Sequence, residues 1–174
     1  YPKLIYASAS GFGQTGPLKE LPAYDMVVQG MGGLMSVTGQ PNSEPTRVGT
    51  SIGDITAGLF TTIGINAALY DREKTGKGTF IDVSMLDCQI AILENAIARY
   101  LSKNEIPKPM GSRHPSIAPF EAFKTKDSHI IIAAGNDKLF EKLCNVLEMS
   151  EIFNDEKFNT NSSRSKNIGE LKVI

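Results

Sequence analysis

Tryptophan is absent from this chain, and its 174 residues include only two cysteines and two histidines. Cys88 and Cys144 both fall in apolar helical patterns, so they are expected to be reduced core residues of a cytoplasmic protein rather than a disulfide framework. His114 and His129 stand apart, with no second ligand at metal spacing, and no metal site is expected. The same shortage prevents a Ser–His–Asp or Cys–His constellation from being assembled. Excess charge of either sign is missing too. Lys and Arg number 18 against 19 Asp and Glu, giving a net charge of −1, so neither nucleic acid nor an anionic membrane is an expected partner. The apolar runs are expected to be too short to span a membrane, and the opening residues do not read as a secretion signal.

What is present is a soluble globular composition, 41% hydrophobic and 21% charged, sufficient for one ordinary domain or parts of two. Residue 1 is Tyr and leads straight into the apolar run Leu4-Ile5-Tyr6-Ala7; the last residues, Leu171-Lys172-Val173-Ile174, continue a helical pattern. The sequence is therefore expected to be an internal piece of a longer chain.

Residues 4–8 suit a buried strand that breaks at Ser10-Gly11, and residues 11–25 hold too much Gly and Pro for a long regular element. Residues 26–38 predict a helix that breaks at Gly30, Gly32 and Gly33. A clearer helix is expected from Ile55 to about Tyr70, with Gly58 and Gly64 allowing close packing. Residues 79–83 alternate like a strand. A single helix is then predicted over 85–101, with Leu86, Ile90, Leu93, Ile97 and Leu101 on one face and Ser84 with Asp87 at capping-box spacing. Four prolines in 103–119 mark a linker. Beyond it come two strands around Lys126-Asp127 and a helix over 137–147.

Gly11-Phe12-Gly13-Gln14-Thr15-Gly16 matches the dinucleotide fingerprint letter for letter after a predicted strand. That chemistry also needs a helix opening at the third glycine, and Pro17 and Pro22 argue against one. Lys77 lacks the rest of a phosphate-binding loop. Asp54, in Ser51-Ile52-Gly53-Asp54-Ile55, carries the chemical argument. It stands where a helix N-cap is expected, and an aspartate there often does nothing else. A helix start also keeps a carboxylate ionised, and an ionised, fixed carboxylate needs no general base to act as a nucleophile.

Several blocks are similar to the family III (CaiB–BaiF, formyl-CoA transferase type) CoA-transferases. They are Ala7-Ser8-Ala9-Ser10-Gly11-Phe12-Gly13-Gln14-Thr15-Gly16-Pro17, Pro22-Ala23-Tyr24-Asp25, and the run from Gln29 through Gly39. Gly53-Asp54, Lys74-Thr75-Gly76-Lys77-Gly78, His114-Pro115-Ser116-Ile117-Ala118-Pro119 and Ala134-Gly135-Asn136-Asp137 complete the set, in the family's order along nearly the whole chain.

The resemblance implies transfer of CoA from an acyl-CoA donor to a carboxylic acid, with Asp54 as nucleophile through aspartyl anhydride and aspartyl-CoA intermediates. Pro22, Ala23, Tyr24 and Asp25 would line the CoA site, CoA being the acyl-CoA substrate and no cofactor being tightly bound. It implies an α/β fold: the central part of a Rossmann-like large domain over 1–102, a linker over 103–118 and the start of a smaller α/β domain over 119–174, within an interlocked homodimer. The family's glycine-rich run that covers the active site is not found. The alternatives are an acyl-CoA racemase of the same family, or a non-catalytic nucleotide-binding or interaction module in which Asp54 is only a cap. The racemases carry a histidine where this chain has Tyr24, and an unperturbed tyrosine, with a pKa of about 10 against about 6.5 for histidine, is a poor proton shuttle.

Overall fold

Strand β1 (Tyr6–Ser10) pairs in parallel with β2 (Phe80–Ser84), in a register that sets Tyr6 opposite Phe80 and Ser10 opposite Ser84. Parallel neighbours need a long crossover. Here it consists of α1 (Asp25–Met31), α2 (Leu34–Val37) and α3 (Ile52–Thr75). The computed structural model describes all of residues 1–174, and these elements belong to the first of two compact units, Tyr1–Pro109 and Met110–Ile174.

The break between α1 and α2 falls at Gly33, whose φ of 86° suits glycine, as the glycine run predicts. Helix α3 is longer at both ends than the expected 55–70. It begins at Ile52 and runs until Gly76, where a left-handed glycine (φ 70°) returns its N–H to the Arg72 carbonyl. Of the two glycines expected to permit close packing, only Gly64 does so, since a Cβ there would lie 3.0 Å from Ile81 Cγ2. Gly58 faces open space. With 24 residues and a mean hydropathy of 1.3 in its most apolar window, α3 is long and apolar enough to cross a membrane by length and composition, which corrects the expectation above. The reason is that its Thr and Gly residues interrupt the visible run without lowering the average much. In this fold α3 instead packs one face on β1, β2, α1 and the helix that follows β2, leaving Ile55, Leu59, Ile63 and Tyr70 exposed.

The helix expected over 85–101 is two: α4 (Met85–Ile92) and α5 (Glu94–Lys103). They bend at Leu93, whose N–H reaches Ile90 rather than the residue before it. Ser84 caps α4 as predicted, its Oγ accepting the Asp87 N–H at 3.2 Å. The predicted apolar stripe is not the buried face, because Ile90 is 43% and Leu101 76% exposed. The inward residues are Met85, Cys88 and Gln89, and the first two join Val28, Ala57 and Val83 in the core.

In the second unit, β3 (Phe120–Lys124) and β4 (His129–Ala133) form the expected antiparallel hairpin. Helix α6 (Asp137–Val146) starts at Asn136, whose Oδ1 accepts the Leu139 N–H at 2.9 Å. Three short helices follow, α7 (Ser150–Asn154), α8 (Asn161–Lys166) and α9 (Ile168–Leu171), around a core of Ala134, Phe140, Cys144 and Phe158.

Both cysteines are free and buried. Burial pushes both thiols above their ordinary value, Asp87 adding to the rise at Cys88 and Arg164 opposing it at Cys144. A thiol whose folded value is raised stays neutral while the unfolded chain ionises first. The associated stability is complete below the ordinary thiol value and is lost as pH rises through the raised one. Unfolding free energy is therefore expected to fall above about pH 8.5. The slope should flatten in Cys88→Ala/Cys144→Ala; an unchanged slope in chemical-denaturation series at stepped pH would refute this origin.

Candidate active site

Asp54 lies in the first turn of α3, and its carboxylate is exposed and accepts no hydrogen bond from this chain. The expectation that it caps the helix is corrected. The cap position belongs to Ser51, because the Ser51 carbonyl already accepts the Ile55 N–H at 3.0 Å. Ser51 supplies no side-chain cap. Asp54 is thus inside the positive end of the helix dipole, where negative charge is favoured, with a carboxylate free to react.

The start of α3 is bonded instead by buried side chains from two other helices. Asp25, only 9% exposed, accepts the Gly53 N–H at 2.7 Å through Oδ1. Its Oδ2 accepts Gln29 Nε2 at 2.8 Å, and Gln29 Oε1 in turn accepts the Val48 N–H at 2.8 Å. From the other side, Gln89 Nε2 donates to Thr56 Oγ1 at 3.0 Å. That hydroxyl lies 2.8 Å from the Ile52 carbonyl and 3.1 Å from that of Gly53. Gly53 is held so closely that a Cβ would sit 2.8 Å from Val28 Cγ2 and 3.0 Å from Asp25 Oδ1, which admits only glycine. Gln29, Thr56 and Gln89 were missed in the sequence. The available signal was glutamine inside otherwise apolar helical stretches.

The segment expected to line a CoA site meets this point. Asp25 is its inward residue and is engaged as above, whereas Pro22 is exposed and Tyr24 is 83% exposed. Ala23 is half-buried against the core, and a Cβ on Gly11 would lie 2.5 Å from its methyl. Gly11 thereby brings the turn after β1 onto this segment. In that turn the Gln14 N–H donates to Asp82 Oδ2 at 2.8 Å, and Gln14 Nε2 reaches Ser8 Oγ and Ser10 Oγ at 3.1 and 3.3 Å. No helix opens at Gly16; the next begins at Asp25, so the fingerprint lacks its anion-binding helix. The turn follows the C-terminal end of β1, the side on which open α/β sheets take ligands. His114 and His129 belong to the second unit: His114 Nδ1 accepts the Ser116 N–H at 3.2 Å, and His129 is exposed at the start of β4.

A sequence profile of CoA-transferase family III matches residues 1–174, and the chain belongs to that family. It is 49% identical over 173 residues to an acetyl-CoA:oxalate CoA-transferase of Acetobacter aceti, covering 99% of this chain and 44% of that protein. It is 42% identical to a succinate–glutarate CoA-transferase of Agrobacterium fabrum, covering 99% of this chain and 43% of the relative. Among solved structures, a CaiB/BaiF family protein from Brucella suis superposes with a TM-score of 0.81 at 45% identity, over 99% of this chain and 46% of that one. The fold is α/β, and the chain spans less than half the length of these relatives.

Proposed function

We propose that the full-length protein transfers CoA from an acyl-CoA donor to a carboxylic acid, with Asp54 as its nucleophile. The observation that carries this reading is the exposed, unengaged Asp54 carboxylate in the first turn of α3, directly after a Gly53 whose N–H is held by buried Asp25, in a chain of this family. A carboxylate oxygen attacks the thioester carbonyl, the C–S bond breaks, and a mixed anhydride forms with release of CoA thiolate. The thiolate then attacks the aspartyl carbonyl, expelling the donor acid and leaving an aspartyl-CoA thioester. The acceptor carboxylate attacks that thioester, displacing the thiolate and forming a second anhydride. The thiolate takes the acceptor's acyl group and restores Asp54. Each step exchanges one acyl bond for another, as covalent catalysis requires, with no net redox change.

Both named relatives act on short dicarboxylates, so a short dicarboxylic acid is the proposed acceptor. CoA enters only as substrate. Residues 1–102 are proposed to serve the large catalytic domain, 119–174 the smaller one, with 103–118 as the linker. Pro22, Ala23 and Tyr24 are proposed to face CoA. The exposed apolar face of α3 supports an assembly that covers it, for which an interlocked cytoplasmic homodimer is proposed.

Transfer rather than racemisation is expected because Tyr24 stands in the loop where a proton shuttle would be needed. Incubation of the full-length protein with a chiral 2-methylacyl-CoA in deuterated water is expected to leave the α-carbon unlabelled, while adding a dicarboxylic acid yields a new CoA ester by mass spectrometry. Deuterium incorporated at a catalytic rate without an acceptor would overturn the assignment in favour of the racemase.

A further inference from the structure

We infer that Asp25, Gln29 and Gln89 are positioning residues that hold the Asp54 carboxylate in its attacking position by fixing the backbone just before it. The inference rests on Asp54 being the nucleophile. Three polar side chains lie in the interior of the first unit, Asp25 at 9% exposure and Gln29 and Gln89 at 0%. Burying such groups is unfavourable unless their bonds are made. Their bonds converge on one place. Asp25 takes the N–H of Gly53 and, through Gln29, that of Val48; Gln89 orients the Thr56 hydroxyl that faces the carbonyls of Ile52 and Gly53. The Ile52–Gly53 peptide is therefore bonded on both its donor side, the Gly53 N–H, and its acceptor side, the Ile52 carbonyl, one peptide before Asp54. Gln89 Oε1 accepts no hydrogen bond from this chain, so the bond its Nε2 makes to Thr56 is the one that fixes this buried amide.

The polarity of the first relay is fixed. Asp25 supplies two acceptors, to the Gly53 N–H and to Gln29 Nε2, and Gln29 turns its own acceptor to Val48. In Asp25→Asn one of the two oxygens becomes a donor. Either it opposes the Gly53 N–H, or it opposes Gln29 Nε2, and a compensating flip of Gln29 would set its NH2 against the Val48 N–H. Every arrangement breaks one bond. Asp25→Asn/Gln29→Glu restores the complement: the asparagine oxygen accepts from Gly53, its NH2 donates to the new carboxylate, and that carboxylate accepts from Val48.

The test uses the full-length protein and follows the hydroxylamine-sensitive adduct on the Asp54 peptide formed with donor acyl-CoA alone, together with kcat and KM. Asp25→Asn and Gln89→Met are expected to slow adduct formation and kcat about ten- to a hundredfold, as small displacements of a reacting group do, with donor KM nearly unchanged. Asp25→Asn/Gln29→Glu is expected to recover most of the rate. Cys88→Ala, in the same core but outside the relay, keeps the wild-type rate even if it lowers the melting temperature equally. Folded Asp25→Asn and Gln89→Met proteins reacting at the wild-type rate would overturn the inference, as would a double variant no faster than Asp25→Asn. Should Asp25→Asn fail to fold, Gln89→Met decides alone. A wild type that forms no adduct on Asp54 overturns the nucleophile assignment itself, and the inference with it.

Discussion

Asp54→Asn is expected to abolish CoA transfer while leaving the fold almost intact. The substitution keeps the shape of the side chain and removes the charge. Asp54 is exposed and accepts no hydrogen bond from the chain, so its structural contribution is confined to the helix dipole, about 0.3–1 kcal/mol. Its catalytic contribution is of another size, because an amide cannot form the anhydride and the pathway is lost. The loss of kcat should exceed about ten-thousandfold, the scale on which removal of a nucleophile acts. Wild-type protein incubated with donor alone should gain an adduct on the Asp54 peptide that hydroxylamine releases, and Asp54→Asn or Asp54→Ala should gain none. Transfer by either variant at more than a small fraction of the wild-type rate would remove Asp54 from the mechanism.

Local signals in the sequence located most of the elements, and tertiary contacts decided what those signals left open. The Ser84 cap, the Gly33 break and the hairpin turn at Lys126-Asp127 depend on residues a few positions apart, and each is found where the spacing puts it. The start of α3 is different. Nothing between residues 48 and 56 announces that the Gly53 N–H will bond to Asp25, 28 positions earlier. That bond supports the turn at Ile52-Gly53, so the helix begins before the apolar pattern does, and Asp54 moves from the cap into the first turn. The face of α4 was misread for a related reason. Periodicity in α4 weights Leu86 and Ile90, yet the helix turns Gln89 inward, where Thr56 offers it a partner 33 positions away in sequence. Buried polar pairs of this kind carry no periodic signature. The candidate nucleophile was visible because an aspartate between a glycine and an apolar helix is a local pattern; the bonds that hold it were not.

Arg164→Met is expected to be the most destabilising single change in the second unit, at about 2–5 kcal/mol. The side chain is fully buried. Its Nε donates to the Ala118 carbonyl at 2.7 Å, one terminal nitrogen to the Phe158 carbonyl at 2.8 Å and the other to Asp137 Oδ1 at 2.7 Å. The guanidinium also lies 4.3 Å from the centre of the Phe140 ring. One planar group thus ties the segment before β3, the start of α6 and the turn before α8 to the core, a reach that lysine cannot reproduce with a single ammonium. The ion pair is the smaller part, since Asp137 is half exposed and water screens it. The larger part is the pair of backbone carbonyls, which in Arg164→Met face methionine and lose their donor. Two substitutions separate these contributions. Asp137→Asn should cost no more than about 1 kcal/mol, whereas Arg164→Lys should cost nearly as much as Arg164→Met. Urea unfolding of the three variants in the full-length protein provides the comparison. Equal losses for Asp137→Asn and Arg164→Met would show that the ion pair dominates, and a neutral Arg164→Met would show that the carbonyls find other donors.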